Sequence, residues 1–158
     1  MCSFGQFSCE ALPKTVTVHI LVNCNIIGER NAVLYFKKIE REELDMTFID
    51  SKIAGAVSNE QKETIKRRLG EAVSILGKSE NFLMVGFSDN YDLYMGGEPL
   101  EKGVFVSVAL FGNASSDAYN QMTKAICDIY AEEIGIPGDK VYVTYTGVKD
   151  WGWNGRNF

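Results

Sequence analysis

The sequence predicts an α/β fold in which two β-α-β units form a four-stranded sheet with two helices on one face. Two stretches carry apolar residues at helical intervals, and each lies between two apolar runs typical of strands. A crossover helix joins parallel strands, so we expect parallel pairing within each unit. The domain is predicted to extend over residues 46–158, and residues 1–45 form an extension outside it.

The first unit begins with a short strand at 48–53. Ser58 and Gln61 fit the capping box of a helix N-terminus, and Gly77 is typical of a helix end. A mostly apolar strand follows at 82–87. The predicted apolar face of the helix consists of Ile65, Leu69, Ala72, Val73 and Leu76.

The second unit repeats this order. A strand at 104–111 is followed by a helix that begins at Ser115 or Ser116 and ends at Gly135. The last strand, at 140–145, alternates between apolar and polar residues. The apolar face of the second helix consists of Met122, Ala125, Ile126, Ile129, Tyr130 and Ile134.

The apolar character of the strand at 104–111 predicts burial on both sides of the sheet. Since two helices can cover only one face, we expect other subunits to cover the second face. A closed symmetric oligomer is the usual result of such a contact.

Composition excludes several classes of protein. The chain has 158 residues, of which 46% are hydrophobic, so it can bury a core. A net charge of −5 without a Lys/Arg cluster argues against nucleic-acid binding. The longest apolar stretch, 16–27, is interrupted by polar residues and is too short to span a bilayer. It also lacks a cleavage site for secretion. We therefore expect a cytoplasmic protein without membrane contact, with export lacking a signal peptide as the alternative.

Cysteine and histidine are concentrated in the first 45 residues, where three of the four cysteines and the only histidine, His19, are found. Cys127, the remaining cysteine, is predicted to be a small buried apolar residue rather than a reactive thiol. The domain therefore contains no Ser-His or Cys-His pair. The spacing of cysteines indicates neither a disulfide framework nor a metal site, and we expect no cofactor.

Several short motifs occur in a characteristic order along residues 46–158. They are Gly77-Lys78, Phe82-Leu83-Met84-Val85, Gly96-Gly97, Phe111-Gly112, residues 136–143 and the aromatic tail 152–158. Together they resemble the macrophage migration inhibitory factor family of the tautomerase superfamily. The resemblance implies a homotrimer in which the sheets form a central barrel, with three active sites at subunit interfaces.

The resemblance also implies an activity and a set of site residues. Family members use an N-terminal proline as the base that removes an α-proton from a keto acid such as phenylpyruvate. Lys78 matches the lysine that binds the substrate carboxylate, and Phe111 falls where a backbone N–H faces the substrate. Tyr142 matches an aromatic residue that reaches the neighbouring subunit's pocket, and Thr144 stands where some members have Asn.

Each of these residues also has a purely structural interpretation. Lys78 could be a solvated lysine whose charge suits the end of a helix. Phe111 could be an ordinary residue of the core or the pocket wall, and Tyr142 a half-buried tyrosine of a strand.

The catalytic proline of the family is replaced by Thr47. One interpretation is that residues 1–45 are present, with strands at 16–21 and 31–36 that block or cap the site. The interpretation that we favour is that translation begins at Met46, because the codons of residues 40–43 can form a ribosome-binding site. Removal of Met46 then leaves the primary amine of Thr47 as a base weaker than proline.

Two functions follow from these observations. The first is an isomerase of small α-keto acids, which Lys78 and Tyr142 favour. The second is a non-catalytic trimeric binding protein or cytokine-like signalling protein, which Thr47 favours. An interaction domain that shares only the sheet-and-helix architecture is the third hypothesis.

Overall fold

The computed structural model describes residues 45–157. The cysteines and the histidine of the first 45 residues, and the strands predicted at 16–21 and 31–36, lie outside this part of the chain. The first half contains β1 (Thr47–Ala54), α1 (Asn59–Ala72), β2 (Leu83–Ser88), β3 (Tyr94–Met95) and β4 (Glu98–Pro99). The second half contains β5 (Gly103–Phe111), α2 (Ser116–Ile134), β6 (Val141–Val148), β7 (Gly152–Trp153) and β8 (Arg156–Asn157).

The four long strands form one mixed sheet in the order β2-β1-β5-β6. Within each unit the strands are parallel, since β1 pairs with β2 and β5 pairs with β6. The two units join through the antiparallel pair of β1 and β5. The predicted α/β class and the parallel pairing within the units are therefore confirmed.

The helix termini follow the capping residues in the sequence. The Ser58 hydroxyl accepts a hydrogen bond from the Gln61 N–H, and the Gln61 side chain accepts one from the Ser58 N–H. After α1 a short 3₁₀ helix, Val73–Leu76, extends the element to Gly77. Ser115 rather than Ser116 caps α2, because its hydroxyl accepts from the Ala118 N–H.

Both helices pack on the same face of the sheet. Alternate residues of β5 are buried against them, while the intervening residues of β5 are partly exposed. Met84, on the opposite face, is 69% exposed. The sequence predicts burial on both sides of the strand at 104–111. In the single chain, only the side that faces the helices is buried.

A buried hydrogen bond joins the helix layer to the sheet. The Tyr130 hydroxyl of α2 lies 2.6 Å from the Ser51 hydroxyl of β1 and donates to it. Both residues are fully buried. Burial raises the pKa of Tyr130 to about 12, so the hydroxyl remains a donor at ordinary pH.

We expect Tyr130→Phe to lower the free energy of unfolding by about 1–2 kcal/mol, because the buried Ser51 hydroxyl loses its donor. Urea unfolding monitored by circular dichroism measures this change. Tyr94→Phe is the matched control, because the Tyr94 side chain is largely exposed. Equal stability of the two variants would contradict the role assigned to the buried bond.

Candidate active site

Three of the predicted site residues meet at one end of the sheet. Thr47 is the first residue of β1 and lies between Leu83 of β2 and Leu110 of β5. Phe111 is the last residue of β5. Lys78 follows the first helical segment of the chain. Its Nζ donates to the Phe111 carbonyl oxygen at 2.8 Å.

The turn after α1 sets the position of Lys78. Gly77 has a φ of 69°, in the left-handed region, so the chain reverses at once. The Gly77 N–H donates to the carbonyls of Val73 and Ser74. The chain therefore changes direction at Lys78, and the Lys78 ammonium group lies at the end of the sheet.

The environment of Lys78 differs from that of a solvated surface lysine. Burial lowers the pKa of its ammonium group, while the negative charge of Asp45 acts in the opposite direction. A partly desolvated cation interacts more strongly with an anion than an exposed one does. Lys78 is therefore suited to bind a carboxylate.

Position 47 is buried in the chain that continues through Met46. Thr47 is 1% exposed, and its hydroxyl donates to the Asp45 carbonyl at 3.4 Å. The Thr47 nitrogen is here a peptide amide, which has no basic lone pair. The Met46 carbonyl accepts a hydrogen bond from the Phe111 N–H at 3.0 Å, so the donor expected to face a substrate already has a partner.

Tyr142 and Thr144 lie elsewhere in the same protomer. Tyr142 pairs with Phe105, near the start of β5, and Thr144 pairs with Ser107, at the middle of β5, whereas Phe111 is the last residue of that strand. The six residue steps from Phe105 to Phe111 span roughly 20 Å, and the four steps from Ser107 to Phe111 span roughly 13 Å. Tyr142 is 60% exposed and lines a groove of about 300 Å³. One protomer therefore does not bring these side chains to Lys78.

Two aromatic rings border the Thr47 end of the sheet. Trp153 packs edge-on against Phe82, with 6.0 Å between the ring centroids. Phe82 directly precedes Leu83, the partner of Thr47. Trp153 reaches this place because Asn154-Gly155, both with positive φ, form the two-residue turn between β7 and β8. Asn-Gly is a strong hairpin signal, so the sequence could have revealed this hairpin.

Asp45 and Met46 also belong to this site, and sequence reasoning did not assign them a role in it. The Met46 carbonyl contacts the end of β5, more than sixty positions away along the chain, and the charge of Asp45 acts on Lys78. No local pattern in the sequence signals such a contact.

Within residues 45–157, no group of His, Cys, Asp and Glu side chains could hold a metal ion. In the same part of the chain, no helix has the length and apolar character needed to cross a membrane. Cys127 is partly buried against the core, and burial raises the pKa of its thiol. This environment disfavours the reactive thiolate.

Residues 46–158 match the family model for macrophage migration inhibitory factor (MIF). The chain belongs to the MIF family. The resemblance inferred from the motifs is thereby confirmed, over the same residues. No protein with curated annotation is similar enough in sequence to count as a match.

Several solved structures, among them structures of MIF proteins, share this fold. Leishmania major MIF2 is 29% identical with a TM-score of 0.67, and the match covers 72% of this chain and 97% of that one. Toxoplasma gondii MIF is 22% identical with a TM-score of 0.65, covering 70% and 99%. Pt0534 inactivated by 2-oxo-3-pentynoate is 17% identical with a TM-score of 0.59, covering 65% and 86%.

Proposed function

We propose that a chain beginning at Thr47 is a keto–enol tautomerase of small α-keto acids such as phenylpyruvate. One observation carries the proposal: a half-buried ammonium group, Lys78, lies at the same end of the sheet as the first residue of β1. A cation for the substrate carboxylate and a basic nitrogen are two of the groups that such a reaction needs.

The proposed reaction uses three groups of this end of the sheet. Lys78 binds the carboxylate of the keto acid. The Thr47 amine removes a proton from the carbon next to the keto group, and the electron pair of that C–H bond moves toward the keto oxygen. The Phe111 N–H stabilises the negative charge on this oxygen. Return of the proton to the oxygen yields the enol, and the reverse sequence yields the keto acid.

The amine of Thr47 suits this role at neutral pH. An unperturbed α-amine has a pKa of about 7.7–8.0. The positive charge of Lys78 at the same end of the sheet disfavours the protonated amine and so lowers its pKa. The lowered pKa increases the fraction of amine that can accept a proton.

We further propose that the active protein is a homotrimer whose sites are completed by Tyr142 and Thr144 of a neighbouring subunit. Along β5, the strand partners of Tyr142 and Thr144 lie roughly 20 Å and roughly 13 Å from Phe111, whose carbonyl contacts Lys78, and these separations within a protomer support the arrangement. So does the sheet face opposite the helices, on which Met84 and Tyr142 are exposed. Gel filtration at three times the monomer mass is the expected result.

An assay of phenylpyruvate enol–keto conversion tests the activity. The chain beginning at Thr47 should catalyse the reaction weakly, and Thr47→Pro in the same chain should raise kcat/KM by about tenfold, because the ring fixes the direction of the nitrogen lone pair. Proline is compatible with the first position of a strand. If neither chain exceeds the uncatalysed rate, the proposal is wrong.

The second candidate is a non-catalytic trimeric binding or cytokine-like signalling protein. Threonine in place of the family's proline favours it, as does the hydrogen bond between the Phe111 N–H and the Met46 carbonyl. A trimer that shows no activity even with Thr47→Pro would favour this function over the tautomerase.

A further inference from the structure

A groove of about 300 Å³ lies beside the first residues of β5 and β6. Its lining comes from two parts of the fold. One is the β3–β4 hairpin with the residues that flank it, and the other is the start of β5 together with Lys140 and Tyr142. One protomer supplies all of these residues, so the groove is present in the single chain.

Most of the groove lining is apolar or aromatic. Val104 is buried, and Leu93 and Leu100 are partly buried. Tyr94 is 68% exposed and Tyr142 is 60% exposed, so much of both rings remains available for contact. Aromatic rings have flat apolar faces against which a second ring packs favourably. The groove is therefore suited to an aromatic group.

Lys140 adds a positive charge to this surface. Among the nine described residues that line the groove, it carries the only charge. Its side chain is 35% exposed, and its Nζ donates to the Met95 sulfur at 3.5 Å. The Asp139 carboxylate, on a side chain that is 73% exposed, lies 4.0 Å from the same nitrogen.

These two contacts leave the ammonium group able to bind a ligand. A thioether sulfur is a weak acceptor, and 4.0 Å is longer than a hydrogen bond. Since an ammonium group has three donors, Lys140 can bind a further anion without losing a strong hydrogen bond.

We propose that this groove is a binding site for a small aromatic carboxylate. The Lys140 ammonium group binds the carboxylate, and the ring of the ligand packs against Tyr94 and Tyr142. A volume of about 300 Å³ is at the lower end of the range for small-molecule sites, which suits a ligand of one or two rings. The inference requires neither a base at position 47 nor a second subunit, so it does not rest on the proposed function.

The charge of the groove selects this class of ligand. An amine would meet Lys140 as a like charge, and a neutral aromatic molecule would not use the ammonium group. A ligand with several negative charges would find a single cation among the described lining residues. One carboxylate on an aromatic body matches both the charge and the apolar lining.

The test is calorimetric titration of the full-length chain with naphthylacetate. The matched control ligand is naphthylacetamide, which keeps the ring and the shape but lacks the charge. Both titrations are made with Lys78 intact and with Lys78→Ala, which removes the cation of the proposed active site. In both chains we expect the amide to bind about fivefold more weakly than the acid, as for a partly exposed ion pair.

Substitutions in the groove separate the role of the charge from that of the rings. Lys140→Gln should abolish the preference for the acid, and Lys140→Arg should retain it. Tyr94→Ala should weaken the binding of both ligands by about fivefold, because an aromatic contact is lost, whereas Tyr94→Phe should not. Tyr142 is left unchanged, because the proposed trimer also places it at a neighbouring subunit's site. Lys124→Gln, on an exposed helix surface, is the matched control.

Three results would overturn the proposal. The first is that naphthylacetate does not bind, or binds no more tightly than the amide. The second is a preference for the acid that persists in Lys140→Gln. The third is binding that disappears in Lys78→Ala while Lys140 is intact, which would assign the carboxylate to the proposed active site instead. Circular dichroism checks that each variant is folded, and the outcome of the phenylpyruvate assay does not enter this test.

Discussion

Extending the chain by Gly-Ser before Thr47 should reduce kcat/KM for phenylpyruvate by about a thousandfold, because a general base contributes about 10²–10⁴ to such rates. The extension converts the amine of Thr47 into an amide, which does not accept a proton. It also adds a carbonyl in the position of the Met46 carbonyl, where it competes with substrate for the Phe111 N–H.

A removable extension provides the control for this experiment. Cleavage by a protease that leaves Thr47 as the first residue should restore the rate of the unextended chain. An extended chain with undiminished activity would show that the base lies elsewhere in the site.

Lys78→Ala in the chain beginning at Thr47 should lower kcat/KM by about a hundredfold, mainly through KM, because a charge-assisted hydrogen bond to substrate contributes about 1.5–3 kcal/mol. Lys78→Arg preserves the charge and should retain more activity than the alanine variant. Lys124→Ala is a matched surface control, since the Lys124 side chain is 78% exposed and pairs with Asp128 on the same helix. Steady-state kinetics of the three variants distinguish these expectations.

The pH profile gives a second readout of Lys78. A lysine is a cation below its pKa, so a lowered pKa means that the charge is lost at a lower pH than in an exposed lysine. We expect kcat/KM to fall on the alkaline side as Lys78 deprotonates, and this fall to be absent in Lys78→Ala. A similar alkaline fall in both proteins would assign the titration to another group.

Much of the fold could be predicted because its signals are local. The capping box of Ser58 and Gln61 and the glycine after each helix mark the helix boundaries within one turn. The parallel pairing follows from the crossover helices. The order of the strands could not be derived in this way, because the antiparallel pair of β1 and β5 depends on contacts between residues far apart in sequence.

The same distinction between local signals and contacts of distant residues applies to the candidate site. Lys78 and Phe111 were identified from the family resemblance, but the 2.8 Å contact between them is a tertiary feature. The occupation of the Phe111 N–H by Met46 could not be anticipated, because it depends on the register between β1 and β5. The separation of Tyr142 from Lys78 likewise follows from the pairing of β5 with β6.

The contact between Trp153 and Phe82 gives the protein an optical reporter of its own. Indole emission responds to the polarity of its surroundings, and Trp153 is one of only two tryptophans in the chain, both in the carboxyl-terminal tail. Its ring borders the end of the sheet where Thr47 begins β1. Fluorescence of the unlabelled protein can therefore follow, in real time, the filling and emptying of that end of the sheet.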